Sequence, residues 1–238
     1  MDSHPYKRVL LKLSGEQLAG KFDGGMDVEL VSWLGREIKK VVEAGTQVVI
    51  MVGGGNYARG AQLAGHGIGR VTADNIGMMA TMMNALAVAD VFNAEGVPAR
   101  ALTNIKADQV ADQFTHRRAV SDLEKDRVVI VGGGIGRPYL TTDTAALNLA
   151  LELDCEVVLK ATKVDGVYDK DPAQYPDAVK LERMSFQQAV EDGAIKVMDK
   201  AALGLAMEHK LPVIVFDAMT EGNIAIAARG QAVGTVIN

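Results

Sequence analysis

Val48-Val-Ile-Met-Val-Gly-Gly-Gly55 and, eighty positions later, Val128-Val-Ile-Val-Gly-Gly-Gly134 share one pattern: an apolar, β-branched run that stops at three glycines. A strand apolar at every position has no side to turn to water, so it belongs inside a sheet covered on both faces. The two runs extend as Gln47–Val52 and Arg127–Val131, and Arg8–Leu13, Cys155–Lys160 and Pro212–Asp217 have the same character. Helical patterns lie between them. Val28–Ala44 ends at Gly45, Asp74–Glu95 ends at Gly96, and Asp143–Leu153 follows Thr141 and Thr142, either of which can serve as N-cap. Ser185 and Gln188 have capping-box spacing. Strands alternating with helices predict an α/β protein with a mostly parallel sheet. The repeated strand–glycine pattern has two readings: common strand–turn–helix usage, or two ligand loops at one sheet edge.

The chain has 238 residues (25.3 kDa), 48% of them apolar, enough for a full core. No linker or composition break divides it, so residues 1–238 read as one folded unit with two lobes at most. A net charge of −5 weighs against a broad nucleic-acid surface but leaves room for a local basic pocket. Cys155 is alone, which excludes a disulfide framework and fits a reducing cytoplasm. The four histidines are scattered and form no metal-binding pattern. Residues 1–5 show no secretory signal, and the apolar segment Met78–Ala89, interrupted by Thr81 and Asn84, is short for a bilayer. The expectation is a soluble, cytoplasmic protein with no membrane or nucleic-acid partner.

Glycine, at 25 residues, exceeds the usual share of about 7%, and fifteen of the 25 fall within 15–25, 53–69 and 132–136. Gly15-Glu-Gln-Leu-Ala-Gly-Lys-Phe22 follows a strand as a P-loop would. Phe22, however, stands where Ser or Thr should hold Mg2+, and no helix of good pattern follows. Gly53-Gly-Gly-Asn-Tyr-Ala58 fits a dinucleotide fingerprint, but Gly60, Gly65, Gly67 and Gly69 interrupt the helix it requires. What remains is a distributed anion site. Three strands end in Lys12-Leu-Ser-Gly15, Gly53-Gly-Gly-Asn56 and Gly132-Gly-Gly-Ile-Gly136, whose backbone N–H groups can approach phosphate. Lys12, Arg59, Arg137 and Lys160 lie near these turns in sequence. Lys12 interrupts an apolar strand, whereas Arg59 and Arg137 also read as surface charges. In the helix over 74–95, Met79, Met82, Met83 and Leu86 form one face, which Met78, Ala85 and Ala89 widen. Such a helix is buried on both sides, in the core or partly against another subunit.

Five segments occur in order: Lys12-Leu-Ser-Gly-Glu16, Gly53-Gly-Gly-Asn56 with Arg59-Gly60, Pro138-Tyr-Leu-Thr-Thr-Asp-Thr-Ala-Ala146, Lys160-Ala-Thr-Lys-Val-Asp-Gly-Val-Tyr168 with Asp171-Pro172, and Lys196-Val-Met-Asp199. Together they resemble the bacterial UMP kinases (uridylate kinases) of the amino-acid kinase superfamily, over essentially the whole chain. The resemblance implies a three-layer αβα sandwich, the amino-acid kinase fold, with the acceptor side in roughly 1–150 and the ATP side in roughly 151–238. It implies reversible transfer of the ATP γ-phosphoryl to UMP, giving ADP and UDP in pyrimidine nucleotide biosynthesis, with Mg2+ accompanying ATP. Lys12, Leu13, Ser14, Gly15, Gly55, Arg59 and Lys160 are assigned to the ATP phosphates and transfer zone, and Thr162, Tyr168 and Asp171 to the ATP nucleoside. Gly54, Asp74 and the run Ile135, Gly136, Arg137, Pro138, Tyr139, Leu140, Thr141 and Thr142 are assigned to UMP. Lys12, Arg59 and Asp143 are the implied catalytic set, with Asp143 orienting Lys12 or the metal-bound phosphates. A homohexamer, a GTP activator and a UTP inhibitor are implied too, with Arg100 and Arg127 as regulatory candidates or plain surface residues.

The chemistry agrees with this assignment. A UMP phosphate oxygen is already anionic at neutral pH, so no side chain need deprotonate it. Catalysis then reduces to alignment and charge neutralisation. Lys12 and Arg59 suit that task, and Mg2+ held by ATP oxygens and waters needs no carboxylate cage. Asp143 and Asp74 have a second reading as first-turn helix acids, and Tyr168 as an edge aromatic. The acceptor loop departs from the family pattern: Ile135 supplies no hydroxyl, Arg137 replaces a common amide, and Leu140 a common aromatic. Two alternatives are a kinase of the same fold with another small acceptor, and a catalytically silent nucleotide-binding regulatory protein.

Overall fold

The computed structural model describes residues 5–59, 63, 67–170, 172, 174–191 and 197–238. Strands β1 (Arg8–Leu13), β2 (Gln47–Val52), β3 (Ala99–Thr103), β4 (Asp112–Gln113), β5 (Val128–Gly132), β6 (Val157–Thr162), β9 (Arg183–Met184), β10 (Val213–Asp217) and β11 (Thr235–Ile237) form one sheet. Its order is β4-β3-β5-β2-β1-β6-β10-β11-β9, parallel throughout except between β10 and β11. β7 (Val167–Tyr168) and β8 (Lys180–Leu181) make a separate antiparallel pair.

Helices cover both faces, which explains why the central strands are apolar at every position. On one face Val9, Leu11, Val48, Ile50, Ile130, Leu159 and Phe216 pack with α2 (Val28–Glu43), α3 (Arg70–Ala94) and α8 (Asn223–Ala228). On the other, Leu10, Val49, Met51, Val131, Val158 and Val215 pack with α4 (His116–Leu123), α5 (Thr142–Glu152) and α7 (Lys200–His209). A one-turn α1 (Gly15–Leu18) and a short α6 (Phe186–Glu191) complete the set among the described residues.

Local signals act as expected at several ends. Thr141 caps α5, accepting from the amides of Asp143 and Thr144, and Ser185 and Gln188 exchange the two capping-box bonds. Gly45 ends α2 with φ +89°. Gly15 itself opens the one-turn α1, held by a second capping box between Ser14 and Gln17, and the next helix begins only at Val28, beyond Gly24 and Gly25. Of the two readings of the face Met79/Met82/Met83/Leu86, core packing holds within this chain only in part: Met82 faces inward, while Met79 and Met83 are each 51% exposed. By length and hydropathy α3 could cross a bilayer, but half of its most apolar stretch is buried, against the sheet and α2.

Candidate active site

The sheet order fixes where the site lies. From β1 the chain lays down β2, β3 and β4 outward on one side, inserts β5 between β2 and β3, then returns to place β6 on the other side of β1. Such a reversal opens a crevice at the carboxyl ends of the two strands. In that crevice Lys12 of β1 and Lys160 of β6 are register partners. They share strand parity with Leu10 and Val158, so both project toward the α5 face.

There they meet Asp143 in the first turn of α5. Lys12 Nζ lies 2.8 Å from Asp143 Oδ1 as an ion pair without hydrogen-bond alignment, and Lys160 Nζ donates to Oδ2 at 2.7 Å. Lys160 also donates to the carbonyl of Val197. The lysines are only 8% and 9% exposed. Burial raises the Asp143 carboxyl, but the two ammonium groups outweigh it and hold the group below the usual carboxylate value. Burial pushes the Lys160 ammonium down; Asp143 opposes this and Lys12 adds to it. The Lys12–Asp143–Lys160 set carries one positive charge more than it has carboxylates, and Asp199 is the further negative charge that acts on Lys160.

Asp199 braces the crevice. It caps α7 through the amides of Ala201 and Ala202, and accepts from Thr144 Oγ1 at 2.9 Å and from the Thr141 hydroxyl. Sequence reading gave Asp199 no role, although an Asp just before Lys200-Ala-Ala is a cap signal.

Arg59 reaches back to Glu16 of α1 at 2.7 Å. Glu16, Gly55 and Arg59, with Phe22, Tyr57 and Lys163, line a cleft of about 570 Å3. A neighbouring cleft of about 400 Å3 shares Glu16, Gly20 and Lys163. Lys163 was not singled out from sequence, and it has no ion-pair partner among the described residues.

The glycine turns also serve packing. A Cβ on Gly15 would sit 2.4 Å from Asn56 Oδ1, on Gly53 2.9 Å from Gly15 N, and on Gly54 2.8 Å from Gly77 O. A Cβ on Gly132 would meet Met82 Cα at 2.8 Å. These glycines let the turns pack against one another and against α3. Leu13 is a core side chain whose carbonyl accepts from Gly53 N, and the Ser14 hydroxyl is engaged within its capping box.

On the acceptor-loop side, Asp74 accepts from Arg70 Nε, 2.9 Å from each oxygen, and from Tyr139 N at 2.8 Å. Arg70 stacks 5.1 Å from the Tyr139 ring, which is 65% exposed on a backbone of φ +69°. Ile135 packs on the core, while Arg137 and Leu140 are exposed. Thr162 at the end of β6 bonds the carbonyls of Val164 and Phe216. Tyr168 donates to Asp165 at 2.7 Å, which raises its phenol. Asp171 and Lys196 lie outside the described residues, as do Gly60, Gly65 and His66.

The family model described as the amino acid kinase family matches residues 7–217. The chain belongs to the amino acid kinase family. Among solved structures, this amino acid kinase resembles a UMP kinase from Bacillus anthracis with a TM-score of 0.94 and 37% identity, over 99% of this chain and 97% of that one. A UMP kinase from Ureaplasma parvum matches with a TM-score of 0.90 and 32% identity over 100% of both chains. A uridylate kinase from Archaeoglobus fulgidus gives 0.73 and 30%, over 97% of this chain and 99% of that one. The amino acid kinase fold expected from the sequence is therefore the fold observed.

Proposed function

We propose that this kinase is a UMP kinase, transferring the ATP γ-phosphoryl to UMP to give UDP and ADP in cytoplasmic pyrimidine nucleotide biosynthesis. The observation that carries the reading is the buried, net-cationic Lys12–Asp143–Lys160 set at the sheet's switch point. Full-length likeness to proteins named UMP kinase supports the acceptor. A UMP phosphate oxygen forms the new bond to the γ-phosphorus as the bond to the β–γ bridging oxygen breaks, and ADP leaves with that electron pair. Lys12 and Lys160 neutralise charge on the moving group, and Asp143 holds both in place. Arg59 exchanges Glu16 for a phosphate when nucleotide enters.

Mg2+ arriving on ATP needs no carboxylate cage from the protein. Asp143, whose two oxygens are held by Lys12 and Lys160, would act on the ion through those ammonium groups rather than as an open ligand. Bound Mg2+ supplies charge neutralisation at the phosphate oxygens. Leu13, Ser14, Gly15 and Gly55 border the ATP phosphates, and Thr162, Tyr168 and Asp171 the nucleoside. Gly54, Asp74 and residues 135–142 border UMP, with Asp74 giving up Tyr139 N to take a ligand hydroxyl. Asp74→Ala should therefore raise the KM for UMP about 10–100-fold and leave the KM for ATP unchanged, as steady-state kinetics will read.

The exposed Met79 and Met83 suit a subunit contact within a homohexamer. The double substitution Met79→Glu, Met83→Glu should reduce the mass seen by light scattering; an unchanged mass would remove this face from the assembly. GTP activation and UTP inhibition follow from the same reading, with Arg100 and Arg127, which both approach Asp122, as candidates. The test of the function is ADP release with Mg-ATP over UMP, CMP, dUMP, AMP, glutamate and carbamate. Turnover should be confined to UMP and its near analogues.

A further inference from the structure

Two polar side chains interrupt the apolar run of α3, and neither is idle. Thr81 is 3% exposed; its Oγ1 accepts from Gly133 N at 2.7 Å and donates to Met78 O at 2.7 Å. Asn84 is fully buried. Its Nδ2 donates to Gly53 O and to Asn56 Oδ1, each at 2.7 Å, and its Oδ1 accepts from Asn56 Nδ2 at 3.0 Å. Asn56 Nδ2 in turn donates to Gly25 O at 2.6 Å, and Asn56 O accepts from Gly25 N. Thr81 thus grips the turn after β5, and Asn84 the turn after β2 together with the loop around Gly25.

The two side chains are three residues apart on one rigid helix, so their Cβ atoms are about 5–6 Å apart. The backbone contacts reinforce the same two grips, since Gly132 abuts Met82 and Gly54 abuts Gly77 and Ala80. Four residues before the first methionine, the same helix carries Asp74, bound to Tyr139 N of the acceptor loop. We infer that Thr81 and Asn84 are positioning residues: α3 acts as a ruler that sets the spacing between the β2 turn and the β5 turn, and with it the alignment of donor and acceptor phosphates. The inference rests on the phosphoryl-transfer reading of the site, because the β2 turn leads to Arg59 and the β5 turn to residues 135–142. Neither Thr81 nor Asn84 touches the crevice lysines in any hydrogen bond or ion pair among the described residues, so their effect is exerted through the turns.

A valine at 81 keeps the shape but leaves Gly133 N buried without an acceptor. A turn displaced by about 1 Å costs about 100-fold in rate when alignment is the main source of catalysis. Thr81→Val and Asn84→Ala should each lower kcat, per folded molecule, by about 10–100-fold with KM values for ATP and UMP within about threefold of the parent. Thr81→Ser, which keeps the hydroxyl, should restore most of kcat. Amide hydrogen exchange, which needs no acceptor, is read in parallel. Thr81→Val should speed exchange at 133–136 but not at 53–56, and Asn84→Ala the reverse. A kcat per folded molecule within about twofold of the parent in both variants, or exchange unchanged in both, would overturn the inference. Failure of the parent itself to turn over UMP would instead strike the acceptor assignment, and the exchange comparison would still decide whether α3 sets the two turns.

Discussion

Lys12→Ala should lower kcat by about 100–1,000-fold while the KM for UMP changes by less than about threefold. Lys12 sits in β1 with its ammonium on Asp143, one strand away from Lys160. Charge on the transferring phosphoryl is greatest in the transition state, so a donor fixed beside it acts there more than in the ground state. Alanine leaves Asp143 paired with Lys160 alone, which removes one positive charge without leaving a lone buried ion. The variant should therefore fold, and its defect is one of chemistry. Equal losses in turnover and in UMP binding would make Lys12 a binding residue instead.

Asp143→Asn should have the opposite character, a large loss of stability together with the loss of rate. It strands two buried ammonium groups beside one another, and breaking a buried pair in this way costs about 3–5 kcal/mol. For a chain of this size that is a fall in Tm of roughly 6–20 °C. Inorganic phosphate should raise the Tm of Asp143→Asn by more than it raises that of the parent, because the anion replaces the missing charge. The pH dependence follows from the lowered Asp143 pKa. The folded value lies below the unfolded one, so its stabilisation is complete above the ordinary carboxylate value of about 3.9 and disappears as pH falls through the folded value. The parent should lose this contribution on acidification below about pH 4, and the Asn variant should show a shallower acid limb in calorimetry.

How much of this the sequence carried depends on whether a feature is local. The buried strands Arg8–Leu13 and Gln47–Val52 were legible to the residue, because mostly apolar six-residue runs bounded by Gly or charge fit a sheet covered on both faces. The strand Ala99–Thr103 was not, since its first positions are half exposed and one of them is Arg100. The strands of two or three residues at the edges owe their existence to neighbours rather than to composition. Lys12 was visible as a cation out of place in an apolar strand. Its partnership with Lys160 depends on β6 returning to the far side of β1, which no local pattern announces. Thr81 and Asn84 were noticed only as breaks in an apolar segment; their bonds to Gly133 and Gly53 join parts of the chain 52 and 31 residues apart. Met79 and Met83 have the apolar helical spacing yet are half exposed in the single chain, so spacing alone could not choose between core and subunit contact.

The most direct test of the central claim is 31P NMR of the enzyme with Mg-ATP and UMP. The Lys12–Asp143–Lys160 site at the switch point predicts that ADP and UDP signals grow together in equal amounts, and that Lys12→Ala nearly abolishes both. Consumption of ATP without UDP, or no change in the ATP and UMP signals, would contradict it.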